Sequence, residues 1–225
     1  MMVSPNIIYE ELLNKSEKEI ITKIRSFKNT IGHLKNTIER QNYIKEFYTL
    51  KTTNIMYPSY ETQIGVNRLY LEEAKRALRD IGGEYVPSKA ELRSIDFNNN
   101  INNIKKITFT IGGYPGIFNN YIAVIFKNKL TIIKSNYEEK IELKGLKYEE
   151  EALTKDLFLE AIRNLYMGEW RRTYSLKRFG DQIMDGTQWE LEIEYADNLK
   201  KVSFDGSNSY PYNFNNFSTL FGITE

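Results

Sequence analysis

The side chains able to do chemistry are few and far apart. The chain has one histidine, His33, and no cysteine. Without thiols there is no disulfide, thiolate nucleophile, zinc ribbon or iron–sulfur ligation. A solitary imidazole with no serine or acid beside it in sequence offers no triad and no proton shuttle. The carboxylates Asp181, Asp185, Glu190, Glu192, Glu194 and Asp205 gather in the last fifth of the chain, and oxygen ligands suit a divalent cation. Glutamates at alternate strand positions, however, stand about 7 Å apart, too far to share one small ion. They read instead as a solvated acidic strand face, which in a functional role would meet a basic partner. Gly112-Gly113-Tyr114-Pro115-Gly116 could bring backbone amides to an anion. A phosphate loop ends in Gly-Lys-Ser/Thr and runs into a helix, whereas here a strand follows, so a hairpin turn is expected. No catalytic residue, metal ligand or cofactor is assigned.

Two further constellations carry alternatives. Arg163, Arg171, Arg172, Lys177 and Arg178 interleave with Tyr166, Trp170, Tyr174 and Phe179. Cations for phosphates and rings for bases make up a single-strand binding composition, although a helix end followed by a surface loop gives the same pattern. The nucleic-acid alternative rests on Arg171, Arg172, Lys177 and Arg178 with Trp170 and Tyr174. Against it, the formal net charge is only +1, which supplies no global positive field. Glu142-Leu143-Lys144 resembles half of a restriction-type nuclease site, in which the carboxylate holds magnesium and the lysine steadies the nucleophile. That site also needs an acid on a neighbouring upstream strand, and Leu130 to Tyr137 supplies none.

These residues must be positioned by elements that the spacing of apolar residues outlines. Ile20, Ile24, Phe27, Ile31, Leu34 and Ile38 alternate steps of four and three, the seam of a heptad helix. Lys28-Asn29-Thr30-Ile31 recurs seven positions on as Lys35-Asn36-Thr37-Ile38. The register survives Gly32, so one long helix is expected, with His33 on its outer flank. Its seam either packs within the chain or docks a partner or a second copy through Ile24, Phe27, Ile31 and Leu34. Pro58 in Met56-Tyr57-Pro58-Ser59-Tyr60 breaks it. A second helix follows over Tyr60 to Ile81, with Val66, Tyr70, Ala74, Ala77, Leu78 and Ile81 inward, and Gly82-Gly83 stops it. Ser88-Lys89-Ala90-Glu91 has capping-box form and starts a third helix.

Near residues 98–103 the period changes to two. Ile104 to Ile111, Tyr121 to Phe126 and Leu130 to Lys134 read as strands, Tyr137 to Leu143 as a fourth, and Leu153 to Met167 as a helix. Trp189, Leu191, Ile193 and Tyr195 then alternate with Glu190, Glu192 and Glu194. Ala196-Asp197-Asn198 turns the chain and Lys200 to Phe204 returns, so that Lys200 and Lys201 can offset the glutamates by about 1 kcal/mol or less. Asn213 to Phe221 closes as a short helix with Asn213 as its cap. The expected fold class is α+β: a helical lobe over 1–100, then a mainly antiparallel sheet with flanking helices over 101–225.

Asp185-Gly186-Thr187-Gln188-Trp189, the alternating strand, Gly206-Ser207-Asn208, Tyr210-Pro211 and Asn213-Phe214 resemble the C-terminal module of uncharacterised bacterial proteins with a W-x-L-x-I strand and a G-S-N-x-Y-P-x-N-F loop. The resemblance implies a structural module and no reaction. The composition, rich in Asn, Ile, Lys and Tyr, suits an AT-rich bacterial or phage genome. No window approaches the ~18 apolar residues of a membrane span and no leader is evident, so a cytoplasmic chain with no membrane partner is expected. The main expectation is a non-catalytic interaction subunit, an accessory protein of bacterial defence or a phage-borne inhibitor of it, that binds a protein partner or itself through the helical seam and through Tyr210 and Tyr212.

Overall fold

Ser16 and Glu19 set the start of the longest helix. The Ser16 N–H donates to the Glu19 carboxylate at 2.9 Å and the Glu19 N–H returns to Ser16 Oγ at 3.4 Å, two orphan donors satisfied reciprocally. The computed structural model describes residues 3–48, 57–113, 116–136, 139–181, 185–196 and 199–223. It divides into two compact units, Met1–Pro87 and Ser88–Glu225.

The first unit holds α1 (Pro5–Leu13), α2 (Glu17–Tyr48) and α3 (Tyr60–Asp80). Helix α2 runs unbroken through Gly32, where an added Cβ would meet nothing. Ser59 caps α3 by accepting from the Thr62 N–H. Past its end Gly82 turns left-handed, and Gly83 donates to Leu78 O at 2.9 Å, the Schellman closure that a glycine pair permits. The seam residues Ile20, Ile24 and Phe27 form one cluster with Tyr70, Ala74, Ala77 and Leu78 of α3 and Ile8 and Leu12 of α1. Phe27 lies 5.6 Å from the Tyr70 ring, and the Tyr70 hydroxyl both accepts from and donates to the backbone of Val3. Of the expected inner face of α3, Ile81 falls beyond the helix end and is exposed, while Ile64 is buried instead.

The second unit opens with α4 (Lys89–Asn100), whose Ser88–Glu91 capping box is complete. The sequence boundary near residue 100 groups this helix with the first lobe. Its Phe97, and Ile101 just beyond, instead belong to the core of the second unit, so the division falls at residue 87.

The strands are β1 (Ile104–Gly113), β2 (Asn119–Phe126), β3 (Lys129–Ser135), β4 (Lys140–Leu143), the paired β5 (Lys147–Tyr148) and β6 (Glu151–Ala152), β7 (Thr173–Ser175), β8 (Thr187–Tyr195) and β9 (Val202–Ser207); between them lies α5 (Lys155–Asn164), and α6 (Phe214–Thr219) ends the chain. Seven strands form one sheet in the order β4-β3-β2-β1-β8-β9-β7, antiparallel except for β7 beside β9. Strand β1 is central, and its long-range pairing with β8 joins the two hairpins into one sheet. The described residues bear out the α+β class. Met56, Tyr114, Pro115, Tyr137, Asp197 and Asn198, which the sequence reading places in turns or at a strand start, lie outside them.

One parity of strand residues builds the core. Ile107, Phe109, Tyr121, Ala123, Ile132, Trp189, Leu191, Ile193, Tyr195 and Phe204 pack with Phe97 of α4, Phe158, Leu159, Ala161 and Ile162 of α5, and Phe214 and Phe217 of α6. All three helices of this unit therefore cover the same face of the sheet.

Candidate functional site

The helical seam is the first feature the structure reassigns. Ile24 is fully buried and Phe27, Ile31 and Leu34 are no more than 7% exposed, so the proposed docking face is core. Its heptad spacing has the simpler cause: α2 needs an apolar stripe to pack against α3. His33 points to solvent from the outer flank, as the register requires.

Two of the four rings of the basic patch, Trp170 and Tyr174, are interior, while Tyr166 is 37% exposed and Phe179 half-buried. Trp170 lies edge-on to Phe204 and Phe217 at 5.6 and 5.7 Å, and its indole N–H donates to Asn213 Oδ1 at 3.0 Å. Tyr174 is 2% exposed, faces the Trp189 ring, and accepts the Arg171 N–H on its hydroxyl. Neither ring offers a face on which a base could stack. Arg172 lies over the Phe204 ring at 4.8 Å and donates to Ser203 O. Burial, then the neighbouring Arg93, pushes its pKa below the ordinary arginine value. Arg178 lies over Phe179, and Arg171 and Lys177 are exposed. What remains at the surface is Arg171, Lys177 and Arg178 with the outer rings Tyr166 and Phe179, without the two central platforms.

The loop after β9 is a clasp on the core. Gly206 leaves room for the Trp189 indole, which a Cβ there would meet at 2.3 Å. That indole donates to Ser209 O at 3.0 Å, and Asn208, in the left-handed region, donates from its backbone to Thr187 O and from its amide to Asp185 O. Tyr210 is half-buried against Phe214 with ring centroids 4.9 Å apart, and Tyr212 is half-buried too. Tyr210 packs on the edge of the core, and both tyrosines keep part of their surface accessible. Asn213 makes no cap bond to α6. Its amide instead bridges Trp170 Nε1 and Leu165 O, a tertiary use of a residue whose type suggests a local one.

For the nuclease alternative, Glu142 sits opposite Ile133 on β3, with no acid on that partner strand. Glu142 and Lys144 border a shallow hollow of about 220 Å³ otherwise lined mainly by Leu130, Ile132, Leu143 and Leu146. Among the described residues no group of three or more histidines or carboxylates could hold a metal.

The surface not used by any of this is the other face of the sheet. Cross-strand register places Ile133, Ile122, Thr108, Glu192 and Ser203 in one row, and Asn120, Thr110, Glu190 and Asp205 in the next. Val124 stands beside Lys106, which faces Glu194. Ile122, Val124 and Ile133 belong to neither apolar core. This face therefore runs from an apolar strip on β2 and β3, across threonines on β1, to carboxylates on β8 and β9. The acidic end is uneven. Glu194 is held by Lys106 at 3.2 Å, with Lys105 and Lys201 near, and Glu192 by Lys201 at 2.9 Å. The Lys106 hydrogen bond is the main reason the Glu194 carboxyl stays below its ordinary range. Glu190 and Asp205 oppose each other across β8 and β9. Asp205 accepts from Thr173 Oγ1 at 3.1 Å, and among the described residues neither carboxylate meets a cation. Like charges directly opposite in a strand pair are unfavourable.

The signal for this face lay in β2. Tyr121-Ile122-Ala123-Val124-Ile125-Phe126 is apolar at both parities, the mark of a strand that is not simply half-solvated. No family model matches the chain, and no curated protein and no solved structure matches it either. No helix among the described residues is long and apolar enough to cross a membrane.

Proposed function

We propose that this chain is a protein-interaction subunit acting by occupancy, and that the second unit holds a basic partner protein on the open face of its sheet. The observation that carries the reading is the gradient across that face: Ile122, Val124 and Ile133, half-buried and outside both apolar clusters, bordered by Glu190 and Asp205, which meet no cation among the described residues. An apolar centre beside a charged rim is the anatomy of a specific non-obligate interface. These two carboxylates, which meet no cation among the described residues, favour a partner rich in lysine or arginine, because an incoming cation offsets the opposed like charges and steers the encounter. Such a chain would serve as an accessory subunit or an inhibitor, the setting in a bacterial defence system included.

The test is copurification from the native host with the wild type and with Ile122→Asp/Ile133→Asp, foldedness being checked by tryptophan fluorescence. The expected result is a retained basic protein whose capture falls about tenfold or more in the variant, as loss of a central apolar pair produces. Undiminished capture by the folded variant would refute the open face. Retention of nucleic acid that falls steeply with added salt would put phosphate recognition in its place.

A further inference from the structure

The sheet has two edges, and they differ. Strand β7 is three residues long and runs directly into the 3₁₀ turn Leu176–Phe179. Among the described residues strand β4 pairs only with β3 and exposes Lys140, Ile141 and Glu142, with Ile141 43% accessible. Its hydrogen-bonding phase follows from the adjoining turn, where the Asn136 N–H bonds Glu139 O at 3.0 Å. With residues 134 and 141 opposed in the same register, antiparallel alternation directs the backbone groups of Ile141 toward β3 and those of Lys140 and Glu142 outward. Two consecutive outward donor–acceptor sets are what an added strand requires.

We infer that β4 pairs with β4 of a second copy of this chain, antiparallel about a two-fold axis through Ile141, joining the two sheets edge to edge. The side chains select this occupant. In that register Ile141 meets Ile141 of the second copy, which removes an exposed apolar side chain from water. Lys140 meets Glu142 of the second copy and Glu142 meets its Lys140, so the two-fold generates two opposite-charge pairs. Moving the axis to Glu142 sets glutamate against glutamate and Lys140 against Lys144, which like-charge repulsion disfavours. Charges commonly blunt an edge strand by repelling a second copy; the Lys-Ile-Glu order does the reverse, since it is self-complementary. An isologous two-fold contact of this kind closes as a dimer and propagates no further. It uses backbone and side chains distinct from the apolar strip proposed to hold a basic protein, and does not depend on that reading.

The test is the oligomeric state of the full chain by analytical ultracentrifugation over a concentration series, for the wild type, Glu142→Lys, Lys140→Glu and the double exchange Lys140→Glu/Glu142→Lys. A wild-type mass of twice 26.5 kDa is expected. Each single exchange turns both attractive pairs repulsive and should weaken the dimer about tenfold or more; the double exchange restores opposite signs and should restore the dimer. Rescue by the double exchange cannot arise from misfolding of the single variants. A wild type that stays monomeric throughout, or a dimer insensitive to either single exchange, overturns the proposal. Copurification of a basic protein with monomeric Glu142→Lys would leave the open-face reading standing while this one is judged by mass alone.

Discussion

The seam of α2 and the outer row of β2 are both apolar stripes, and they have different fates. Ile24 and Phe27 are enclosed by α3 and α1. Ile122 and Val124 lie outside both apolar clusters. A helix presents one stripe, and a neighbouring helix satisfies it. A sheet presents two faces, and α4, α5 and α6 all take the same one. Apolar periodicity on a helix is therefore weak evidence for a docking site, while apolar residues at both parities of a strand point to a second covered or coverable face.

That contrast can be broken most directly through the two cores. Trp189 is 1% exposed between Gly206, Tyr174 and Phe214, so Trp189→Ala should cost about 3–5 kcal/mol. Both tryptophans, Trp170 and Trp189, lie in the second unit. Fluorescence of the remaining Trp170 therefore follows that unit, while the far-ultraviolet helical signal is weighted toward α2 and α3. A lowered fluorescence midpoint with a persisting helical transition is the expected outcome; equal shifts in both would show that the separation into two cores has no energetic counterpart.

The reciprocal change is Ile24→Ala, which opens a cavity in the first core and should cost about 2–5 kcal/mol. The helical transition should move in denaturant and the tryptophan signal should not. Were Ile24 a docking residue held at the surface, its truncation would leave both midpoints in place.

The smallest effect sharpens the account of the open face. Lys106, and after it Lys201 and Lys105, depress the Glu194 pKa below its ordinary value of 4.5. A depressed carboxyl contributes stability that is present above the ordinary value and is lost as pH falls through the folded-state value. Lys106→Met should therefore be less stable than the wild type near neutral pH, by under about 1 kcal/mol for so accessible a pair. The gap should close as pH drops below about 4.5 in urea titrations. A gap independent of pH would assign the role of Lys106 to packing of its methylene stem.

Local patterns in the sequence carried much of this. The capping box at Ser88 and Glu91, the stop at Gly82-Gly83, the passage of one helix through Gly32 and the alternation from Trp189 to Tyr195 each rest on a few neighbouring residues, and each stands in the fold as expected. The site readings fared differently. Trp170 and Tyr174 are adjacent in sequence to Arg171 and Arg172 but point into the core, because β7 lies parallel to β9 and turns Tyr174 toward Trp189. Helix α1 and strands β5 to β7 leave no legible periodicity, because α1 is short and buries Ile8 and Leu12 alone and the strands are two or three residues long.

The residues by themselves determined the order of the longer helices and of strands β1 to β4, β8 and β9, the two periodicities and the absence of any thiol. They did so because hydrogen-bonded turns and strand alternation depend on side chains a few positions apart. Only the tertiary structure decided which apolar stripe is core and which lies outside both clusters, and that α4 belongs to the second unit. It also decided that Asn213 ties Trp170 to Leu165 rather than capping a helix. Those outcomes depend on partners brought together from distant parts of the chain, above all the pairing of β1 with β8, whose register no local spacing specifies.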